Sequence, residues 1–414
     1  MRSYYLLLCC ALLGGCSSGA VGTVPPSATA SGAWAMDSAY APYGRSPRRD
    51  SVAYQSLYSF QGGSGDGANP QAGLLDVEGT LYGTTESGGP NGYGTVFAIA
   101  PSGTETVLHY FGTGSGDGTF PQAGLINVNG TLYGTTFQGG THDLGTVFAI
   151  TPSGTETLLY SFMGKCNGSC TDAAYPLAGL LDVNGTLYGT SQQGGANNLG
   201  TVFTITPSGT ETVLYGFKGG KVRDGQFPQA GLINVKGTLY GTTYEGGPKE
   251  YGTVFAVTPS GTEKVLHRFA PSSGDGANPA AVLIDVKGKL YGTTFNGGAY
   301  SQGTVFAITP SGKETVLHSF GSYSGDGEQP EYAGLIHVQG ALYGTTARGG
   351  GTNGGGTVFK ITPSGKETVL YNFPHGSGSA YQPEAGLIDV NSKLYGTTYY
   401  GGAYGDGTVF AMKP

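Results

Sequence analysis

Short apolar runs alternate with glycine-rich polar segments along most of the chain, and the alternation is regular. The phrase Gly-Thr-Val-Phe opens at positions 94, 145, 200, 252, 303, 356 and 407, so neighbouring copies lie 51 to 55 residues apart. A period of this size, rich in strand-forming residues, is typical of repeat architectures of the propeller kind. The chain from Tyr54 to Pro414 is therefore interpreted as seven copies of one unit.

The sequence pattern of each unit predicts four strands, and the pattern is clearest in the second copy. The strands are predicted at residues 123–128 (AGLINV), 131–136 (TLYGTT), 145–151 (GTVFAIT) and 155–162 (TETLLYSF). Asn129-Gly130 joins the first two strands and favours a two-residue turn with positive φ at both positions. Pro152-Ser153-Gly154 joins the last two, because proline presets φ and glycine accepts the left-handed region. The unit is thus two tight hairpins joined by a longer, glycine-rich connection.

Four antiparallel strands in about fifty residues are typical of a propeller blade. Val147 to Ile150 put apolar side chains on both faces of the third strand, which suits a sheet packed between two neighbours. The main alternative, a β-solenoid, has shorter coils without tight hairpins. The predicted fold class is therefore all-β: a seven-bladed β-propeller with four antiparallel strands in each blade.

The order of the strands predicts how the ring closes. The repeat region begins with a fourth strand, residues 56–60, and ends with a third strand, residues 407–412. We expect the N-terminal strand to pair with the C-terminal blade, because pairing satisfies backbone groups and removes exposed sheet edges. One closed body of this kind favours a monomer.

Composition changes this picture little. The chain has 414 residues, of which 78 are glycine and 11% are charged, with a net charge of −7. The glycines recur at fixed offsets beside Val, Leu, Ile, Tyr and Phe, which distinguishes the chain from a low-complexity segment. An acidic body lacks the basic surface that phosphate contacts need, so the charge argues against a nucleic-acid partner.

The N-terminal residues predict the cellular location of the protein. Met1-Arg2 precedes an apolar run, residues 4–13, that is too short to span a bilayer and suits a secretory leader. Leu13-Gly14-Gly15-Cys16 resembles the bacterial lipobox, and this resemblance makes residues 1–15 a lipoprotein signal peptide and Cys16 a lipidated membrane anchor. Ser17 in place of aspartate favours the outer membrane, with the protein facing the periplasm or the cell surface. The alternative is a soluble secreted protein that loses Cys16 with its leader.

Residues 16–53 are rich in Ser, Ala, Pro and Gly and predict a flexible tether before the propeller of residues 54–414. The tight turns of a unit fall on one face of the predicted disc, and the long connections fall on the other. Loops on a rigid scaffold commonly carry function.

Variation is concentrated in the long connections, where two changing residues precede a Gly-Gly pair. Aromatic rings beside planar hydrogen-bonding groups suit a glycan or a protein ligand. The candidate ligand face comprises Phe137, Gln138, Gln193, Tyr244, Glu245, Phe295, Asn296, Arg348, Tyr399 and Tyr400. The alternative is that these rings only pack over the ends of the blades.

An aspartate four residues before proline recurs in the other long connection, at Asp66, Asp117, Asp172, Asp224, Asp275 and Asp326, and Ser379 replaces it in the last unit. A ring of carboxylates could bind Ca²⁺, but six or more converging oxygens are needed, so a side chain that stabilises its own turn is favoured. No metal, cofactor or catalytic residue is predicted. His109, His267 and His318 stand where other units have tyrosine, and we interpret them as packing substitutes. Cys166 and Cys170 predict a local disulfide, since an exported protein meets oxidising conditions.

The recurring text LYGTT…GG…GTVFAITPSGTETVLYSF resembles the choice-of-anchor GloVer tandem-repeat proteins of bacteria. The resemblance covers Tyr54–Pro414 and implies an exported, surface-attached repeat protein, with no catalytic residue to carry over. The Gly-Gly pair also resembles kelch blades.

These observations favour a lipid-anchored binding or scaffolding module of the cell envelope. One alternative is a lyase or hydrolase with its site at the central funnel, which requires ionisable groups that converge near the axis. The inner strands offer few such groups. The other alternative is a purely structural surface protein.

Overall fold

The computed structural model of the chain describes residues 54–166, 170–351 and 354–414. They form seven four-stranded antiparallel sheets arranged as a ring, which confirms the predicted all-β, seven-bladed propeller. No helix in these ranges is long and apolar enough to cross a membrane. The leader, the tether and Cys16 lie outside the described residues.

The innermost strand of every blade has three residues: Leu75–Val77, Ile126–Val128, Leu181–Val183, Ile233–Val235, Ile284–Val286, Ile336–Val338 and Ile388–Val390. The second strands are Thr80–Thr85, Thr131–Thr136, Thr186–Ser191, Thr238–Thr243, Lys289–Thr294, Ala341–Thr346 and Lys393–Thr398. The third strands are Thr95–Ile99, Thr146–Ile150, Thr201–Ile205, Thr253–Val257, Thr304–Ile308, Thr357–Ile361 and Thr408–Met412. The outermost strands are Glu105–Tyr110, Glu156–Ser161, Glu211–Gly216, Glu263–Arg268, Glu314–Ser319, Glu367–Asn372 and, in the seventh blade, Gln55–Ser59.

The predicted first strand was too long. Only Ile126–Val128 of residues 123–128 pairs with the second strand, while the preceding residues line the axis. Seven segments of the chain, one from each blade, converge there. A Cβ atom on Gly124 would lie 3.2 Å from the carbonyl oxygen of Gly73 in the neighbouring blade. The close approach of adjacent backbones therefore replaces sheet pairing at this point.

The tight turn after the innermost strand has the predicted geometry. Asn129 and Gly130 have φ angles of 53° and 86°, as the two central residues of a primed hairpin turn require.

The ring closes by the predicted strand pairing. Gln55–Ser59 lies antiparallel to Thr408–Met412, with Gln55 opposite Ala411 and Ser59 opposite Thr408. Leu75–Val77 also lies beside Ile388–Val390, so the innermost strands meet around the full circle. Each outermost strand starts at a tight turn, so Tyr54 and Met412 both lie at the face of the disc that carries the tight turns.

A phenylalanine pair packs at each junction between blades. Phe111, which follows one outermost strand, meets Phe148 of the next blade edge-to-face, with ring centroids 5.1 Å apart. The other six pairs, at 5.0 to 5.3 Å, are 60–97, 162–203, 217–255, 269–306, 320–359 and 373–410. A Cβ atom on Gly134 would lie 2.5 Å from the Phe148 ring, so glycine in Leu-Tyr-Gly-Thr makes room for phenylalanine in Gly-Thr-Val-Phe.

The two threonines that follow this glycine bond in different directions. Thr135 donates to the carbonyl oxygen of Ala178 in the next blade at 3.1 Å. Thr136 exchanges a buried hydrogen bond of 2.7 Å with Thr146 within its own blade. At the closing junction, Thr397 donates to the carbonyl oxygen of Ala72 at 3.3 Å. Buried polar groups thereby gain partners and join successive blades.

The long connections contain short elements that the sequence did not predict. Two-residue ladders pair Gly67–Ala68 with Ser87–Gly88, Gly118–Thr119 with Gln138–Gly139, Ala173–Ala174 with Gln193–Gly194, Gly225–Gln226 with Glu245–Gly246, Gly276–Ala277 with Asn296–Gly297, and Gly327–Glu328 with Arg348–Gly349. A single bridge joins Tyr381 and Tyr400 in the seventh blade. Lys165–Cys166 pairs with Cys170–Thr171, and 3₁₀ turns span Gly220–Val222 and Pro271–Ser273.

Truncation of Phe60 tests the closing junction. We expect Phe60→Ala to lower the free energy of unfolding by about 3–5 kcal/mol, because it removes a buried ring from a packed junction. Urea denaturation followed by circular dichroism measures the change. Phe217→Ala, at an internal junction, is the matched control and should cost about as much. A cost near zero for Phe60→Ala alone would show that the closing junction does not hold the ring.

Candidate functional site

The residue before each long-connection proline links two blades. Asn69, Phe120, Tyr175, Phe227, Asn278, Gln329 and Gln382 all have φ between 54° and 61°. The Phe120 N–H donates to the carbonyl oxygen of Tyr93 at 2.9 Å, and the Phe120 carbonyl accepts from the Phe137 N–H at 3.0 Å. This left-handed position fixes the loop that carries the first residue of each variable pair.

The predicted ligand residues are spread around one face of the ring. Phe137, Tyr244, Phe295, Tyr399 and Tyr400 are half-buried, as are the polar residues Gln138, Gln193, Glu245 and Asn296, whereas Arg348 is exposed. Phe137 packs on Tyr175 with ring centroids 5.2 Å apart, and Tyr399 packs on Tyr400 at 4.6 Å. Gln226 donates to Glu245 at 3.1 Å, and Asn296 donates to Asn278 at 3.2 Å. Most of these side chains therefore have neighbours within the loops.

A cavity of about 340 Å³ lies on the axis. Its wall repeats the Ala-Gly-Leu segments of the blades, so most of the lining is apolar, as the inner-strand composition predicted. Gln71, Gln122, Gln229 and Tyr332 also line it. These four follow the long-connection prolines, and they place polar groups at the end of the cavity nearest the variable loops.

Three carboxyl groups lie next to residues that line this end: Glu86 bonds Gln122, Glu384 bonds Gln71, and Glu331 precedes Tyr332. We call these three acids, together with Tyr244, Tyr332 and Tyr399, the funnel mouth. Glu86 accepts hydrogen bonds from Gln122 Nε2 at 2.7 Å and from the Tyr399 hydroxyl at 2.6 Å. Glu384 is 6% exposed and accepts from Gln71 Nε2 at 3.2 Å and from Gln382 Nε2 at 2.6 Å. The bonds from Gln71 to Glu384 and from Tyr399 to Glu86 join blades one and seven, so the funnel mouth is hydrogen-bonded across the ring closure.

The carboxyl groups at the funnel mouth repel one another when they are ionised. Burial, and then the nearby Glu331, raise the pKa of the Glu384 carboxyl well above its ordinary value. Burial also raises the pKa of Glu331, and Arg348 acts in the opposite direction. The pKa of Tyr332 is raised by burial and by Glu331, Glu384, Tyr244 and Glu86, so all of these groups lie within electrostatic reach of its hydroxyl.

Sequence reasoning missed most of this cluster. It singled out Tyr244, Arg348 and Tyr399 but expected few ionisable groups near the axis, because it considered only the inner strands. Glu331, Tyr332 and Glu384 instead come from the long connections. A signal was present: six units have one residue between proline and alanine, whereas the sixth blade has two, Glu331 and Tyr332, after Pro330.

The recurring aspartates have the turn role that was favoured over calcium binding. Asp66 accepts from the backbone N–H groups of Gly67 at 2.6 Å and Gln61 at 2.7 Å, and from the Tyr58 hydroxyl at 2.8 Å. His267 replaces this tyrosine at the equivalent aspartate, with Nε2 2.9 Å from Asp275. His267 and His318, whose Nε2 atom is 3.2 Å from Asp326, are therefore hydrogen-bonding substitutes for tyrosine, whereas Nε2 of His109 is 3.6 Å from Asp117.

A glutamate from the next blade faces each aspartate. The six pairs are Asp66–Glu105, Asp117–Glu156, Asp172–Glu211, Asp224–Glu263, Asp275–Glu314 and Asp326–Glu367. Between blades six and seven both carboxyl groups are replaced together: Ser379 stands for aspartate, and Tyr54 stands for glutamate and stacks on Tyr371 at 4.4 Å. The two acids therefore occur, or are replaced, as a unit.

Two of these junctions bring together residue types that can ligate a metal. The ligand atoms of His267, Asp275 and Glu314 lie within 4.8 Å of one another, as do those of His318, Asp326 and Glu367. The same aspartate–glutamate arrangement forms where tyrosine replaces histidine, as at Tyr215, Asp224 and Glu263. A hydrogen bond from tyrosine or histidine to the aspartate is therefore common to both kinds of junction, whereas Oε1 of Glu263, Glu314 and Glu367 is buried without a hydrogen-bond partner among the described residues.

The predicted disulfide has a compatible backbone. Cys166 and Cys170 lie opposite each other in an antiparallel pair. Their side chains fall outside the described part of the structure, so the disulfide remains a prediction. Cys16 lies outside it as well.

The repeated junctions and the strand-paired closure define the class of the molecule: a closed tandem-repeat propeller with seven blades. The chain belongs to the Gloeobacter/Verrucomicrobia repeat family, which matches residues 47–199 and 175–410. This match confirms the resemblance to GloVer repeat proteins. A protein of this family and fold is suited to a binding or structural role.

No curated protein matches the chain. Among solved structures, a puromycin hydrolase mutant complexed with PGG is similar at 14% identity, with a TM-score of 0.52, over 81% of this chain and 50% of that chain. Puromycin hydrolase itself is similar at 13% identity, with a TM-score of 0.50, over 80% of this chain and 50% of that chain. A computationally designed protein is similar at 13% identity, with a TM-score of 0.47, over 86% of this chain and 100% of that chain. These similarities concern the fold alone.

The carboxyl pairs predict how stability depends on pH. Burial, followed by the partner aspartate, raises the pKa of Glu105, Glu263, Glu314 and Glu367 from 4.5 to about 7. A raised pKa means that the folded state binds the proton more tightly. The stabilisation is therefore complete below pH 4.5 and is lost as the pH rises through about 7.

Glu263→Gln tests this dependence, because glutamine resembles the protonated acid. We expect the variant to match the wild type in Tm at pH 4.5 and to exceed it at pH 8, as measured by differential scanning calorimetry. Glu78→Gln, in an exposed tight turn, makes the same charge change and serves as control. A Glu263→Gln variant whose Tm falls with pH as steeply as that of the wild type would contradict the assignment.

Proposed function

We propose that the protein is a lipid-anchored module of the cell envelope that binds its ligand at the funnel mouth. One observation carries the proposal. The sixth blade alone has two residues between its long-connection proline and its alanine, Glu331 and Tyr332. Tyr332 lines the axial cavity, and neither side chain has a hydrogen-bond partner among the described residues. Both side chains are half-buried. A few polar groups that converge at the end of a mostly apolar cavity are typical of a ligand site.

The rest of the ring supports this role. The left-handed residues, the short ladders and the threonine bonds hold the variable loops on a rigid frame, which lowers the entropy that a ligand must overcome on binding. The cavity supplies an apolar surface, and the mouth supplies aromatic rings and hydrogen-bonding groups. Anchoring at Cys16 rests on the lipobox resemblance and on the tether-like composition of residues 16–53.

A second candidate, a hydrolase or lyase, is favoured by one observation. Glu331 and Glu384 are neighbouring carboxyl groups with raised pKa values, and such groups can act as general acids. Glu384, however, is 6% exposed and held by two glutamine amides, which suits a structural acceptor better than a proton donor. Binding is therefore the preferred function, and turnover of a bound ligand would favour the alternative.

Lipidation is tested at the cysteine. In a bacterial host that processes lipoproteins, we expect Cys16→Ser to abolish the incorporation of labelled palmitate and to move the protein from the membrane fraction to the soluble fraction, because the acyl chains supply the membrane affinity. Cys10→Ser, within the leader, should leave both unchanged. Palmitate retained in Cys16→Ser would refute the anchor.

Ligand binding is tested at the funnel mouth. On glycan and peptide arrays, we expect the wild-type protein to bind a defined set of ligands and Tyr332→Ala to lose at least about tenfold in affinity, since a stacking ring and a hydroxyl are removed. Deletion of Tyr332 restores the spacing of the other six blades and should have the same effect. Phe295→Ala, on the same face but outside the mouth cluster, is the control. Equal loss in all three variants would place the ligand elsewhere on the face.

A further inference from the structure

We propose that the funnel mouth recognises an alkylammonium group, with the ammonium among the three carboxyl groups and the alkyl chain in the axial cavity. This inference rests on the proposed function, because it names the chemical class of the ligand for the same site. The ammonium could belong to a free amine or to a lysine side chain of a peptide, and the experiment below distinguishes the two.

The charges of the mouth favour a cation. Glu86, Glu331 and Glu384 come from blades one, six and seven and converge on Tyr332, whereas Arg348, which is exposed, is the cation that opposes them. In their ionised forms the three carboxyl groups outnumber the one guanidinium, so the mouth can carry an excess of negative charge only when a cation compensates it. Like charges that share a site disfavour one another's ionised forms, and a cation between them removes this repulsion.

The hydrogen bonds leave one position open. Glu86 and Glu384 each have two donors, but Glu331 has none among the described residues, and it borders Tyr332, whose hydroxyl also has none there. An ammonium group supplies three donors from a single atom and accepts none. It can therefore supply a donor of the kind that Glu331 and the Tyr332 oxygen lack among the described residues.

The aromatic rings and the cavity suit the two ends of such a ligand. Tyr332 lines the cavity, and the neighbouring Tyr244 and Tyr399 add aromatic rings that attract a cation through the ring quadrupole. The apolar Ala-Gly-Leu wall below offers about 340 Å³ to an alkyl chain. A neutral sugar would fill the space but would offer no positive charge to the carboxyl groups.

The raised pKa values support the inference and give it a distinctive readout. Burial and Glu331 hold the pKa of Glu384 high, so this acid keeps a proton more readily than an ordinary glutamate does. A bound cation favours the ionised form. Binding should therefore release protons, which simple occupancy of the cavity by a neutral molecule would not do.

The test is isothermal titration of the mature, full-length protein with n-butylammonium chloride at constant ionic strength, in two buffers that differ in ionisation enthalpy. We expect saturable binding with proton release, at least about tenfold tighter than binding of 1-butanol. Glu331→Gln should weaken n-butylammonium binding about tenfold and leave 1-butanol unaffected. Glu78→Gln, on the opposite face, should bind as the wild type does, and circular dichroism checks that both variants fold.

The source of the ammonium is distinguished by two further ligands. Tighter binding of a lysine-containing tripeptide than of n-butylammonium would indicate a peptide, and equal binding would indicate a free amine; both support the inference. If n-butylammonium and 1-butanol bind equally and Tyr332→Ala weakens both, the cation inference is wrong while the binding site stands. If n-butylammonium does not bind, the inference is wrong, and the array experiment with Tyr332→Ala decides the proposed function separately.

Discussion

The ring depends on one contact, the edge-to-face phenylalanine pair at each junction between blades. It occurs seven times, with centroid distances of 5.0 to 5.3 Å, and the third-strand ring of each pair lies over a glycine whose Cβ would collide with it. A closed ring needs the same angle between every two neighbours, so the contact cannot vary. This constraint accounts for the repetition of Leu-Tyr-Gly-Thr and Gly-Thr-Val-Phe: one phrase supplies the space, and the other supplies the side chain that fills it.

The site uses the freedom that this constraint leaves. Junction residues repeat, whereas the loops beyond them differ, and each loop is attached through a residue in the left-handed region such as Phe120 or Gln382. One inserted residue in the sixth blade therefore changes the mouth without disturbing the junctions below it. The carboxyl pairs also change only as units. Between blades six and seven, Ser379 and Tyr54 replace both members of a pair together, so neither acid remains without the other.

The fold could be predicted because its signals are local and repeated. Periodicity gave the number of blades, and the order of the strands gave the closure between Gln55–Ser59 and Thr408–Met412. The innermost strands were predicted too long, because aliphatic residues such as Leu125 pack around the axis and do not all pair in a sheet. The site could not be assembled in this way, since Glu86 and Tyr399 meet from positions 313 residues apart. The aspartate–glutamate pairs were missed for the same reason, as their members belong to different blades.

Both ends of the propeller lie at the face of the tight turns, because Tyr54 immediately precedes an outermost strand and Met412 ends a third strand. The variable loops and the funnel mouth lie on the opposite face. A molecule that enters the funnel mouth therefore does not pass Tyr54 or Met412, and the opening is free of both strands that seal the ring.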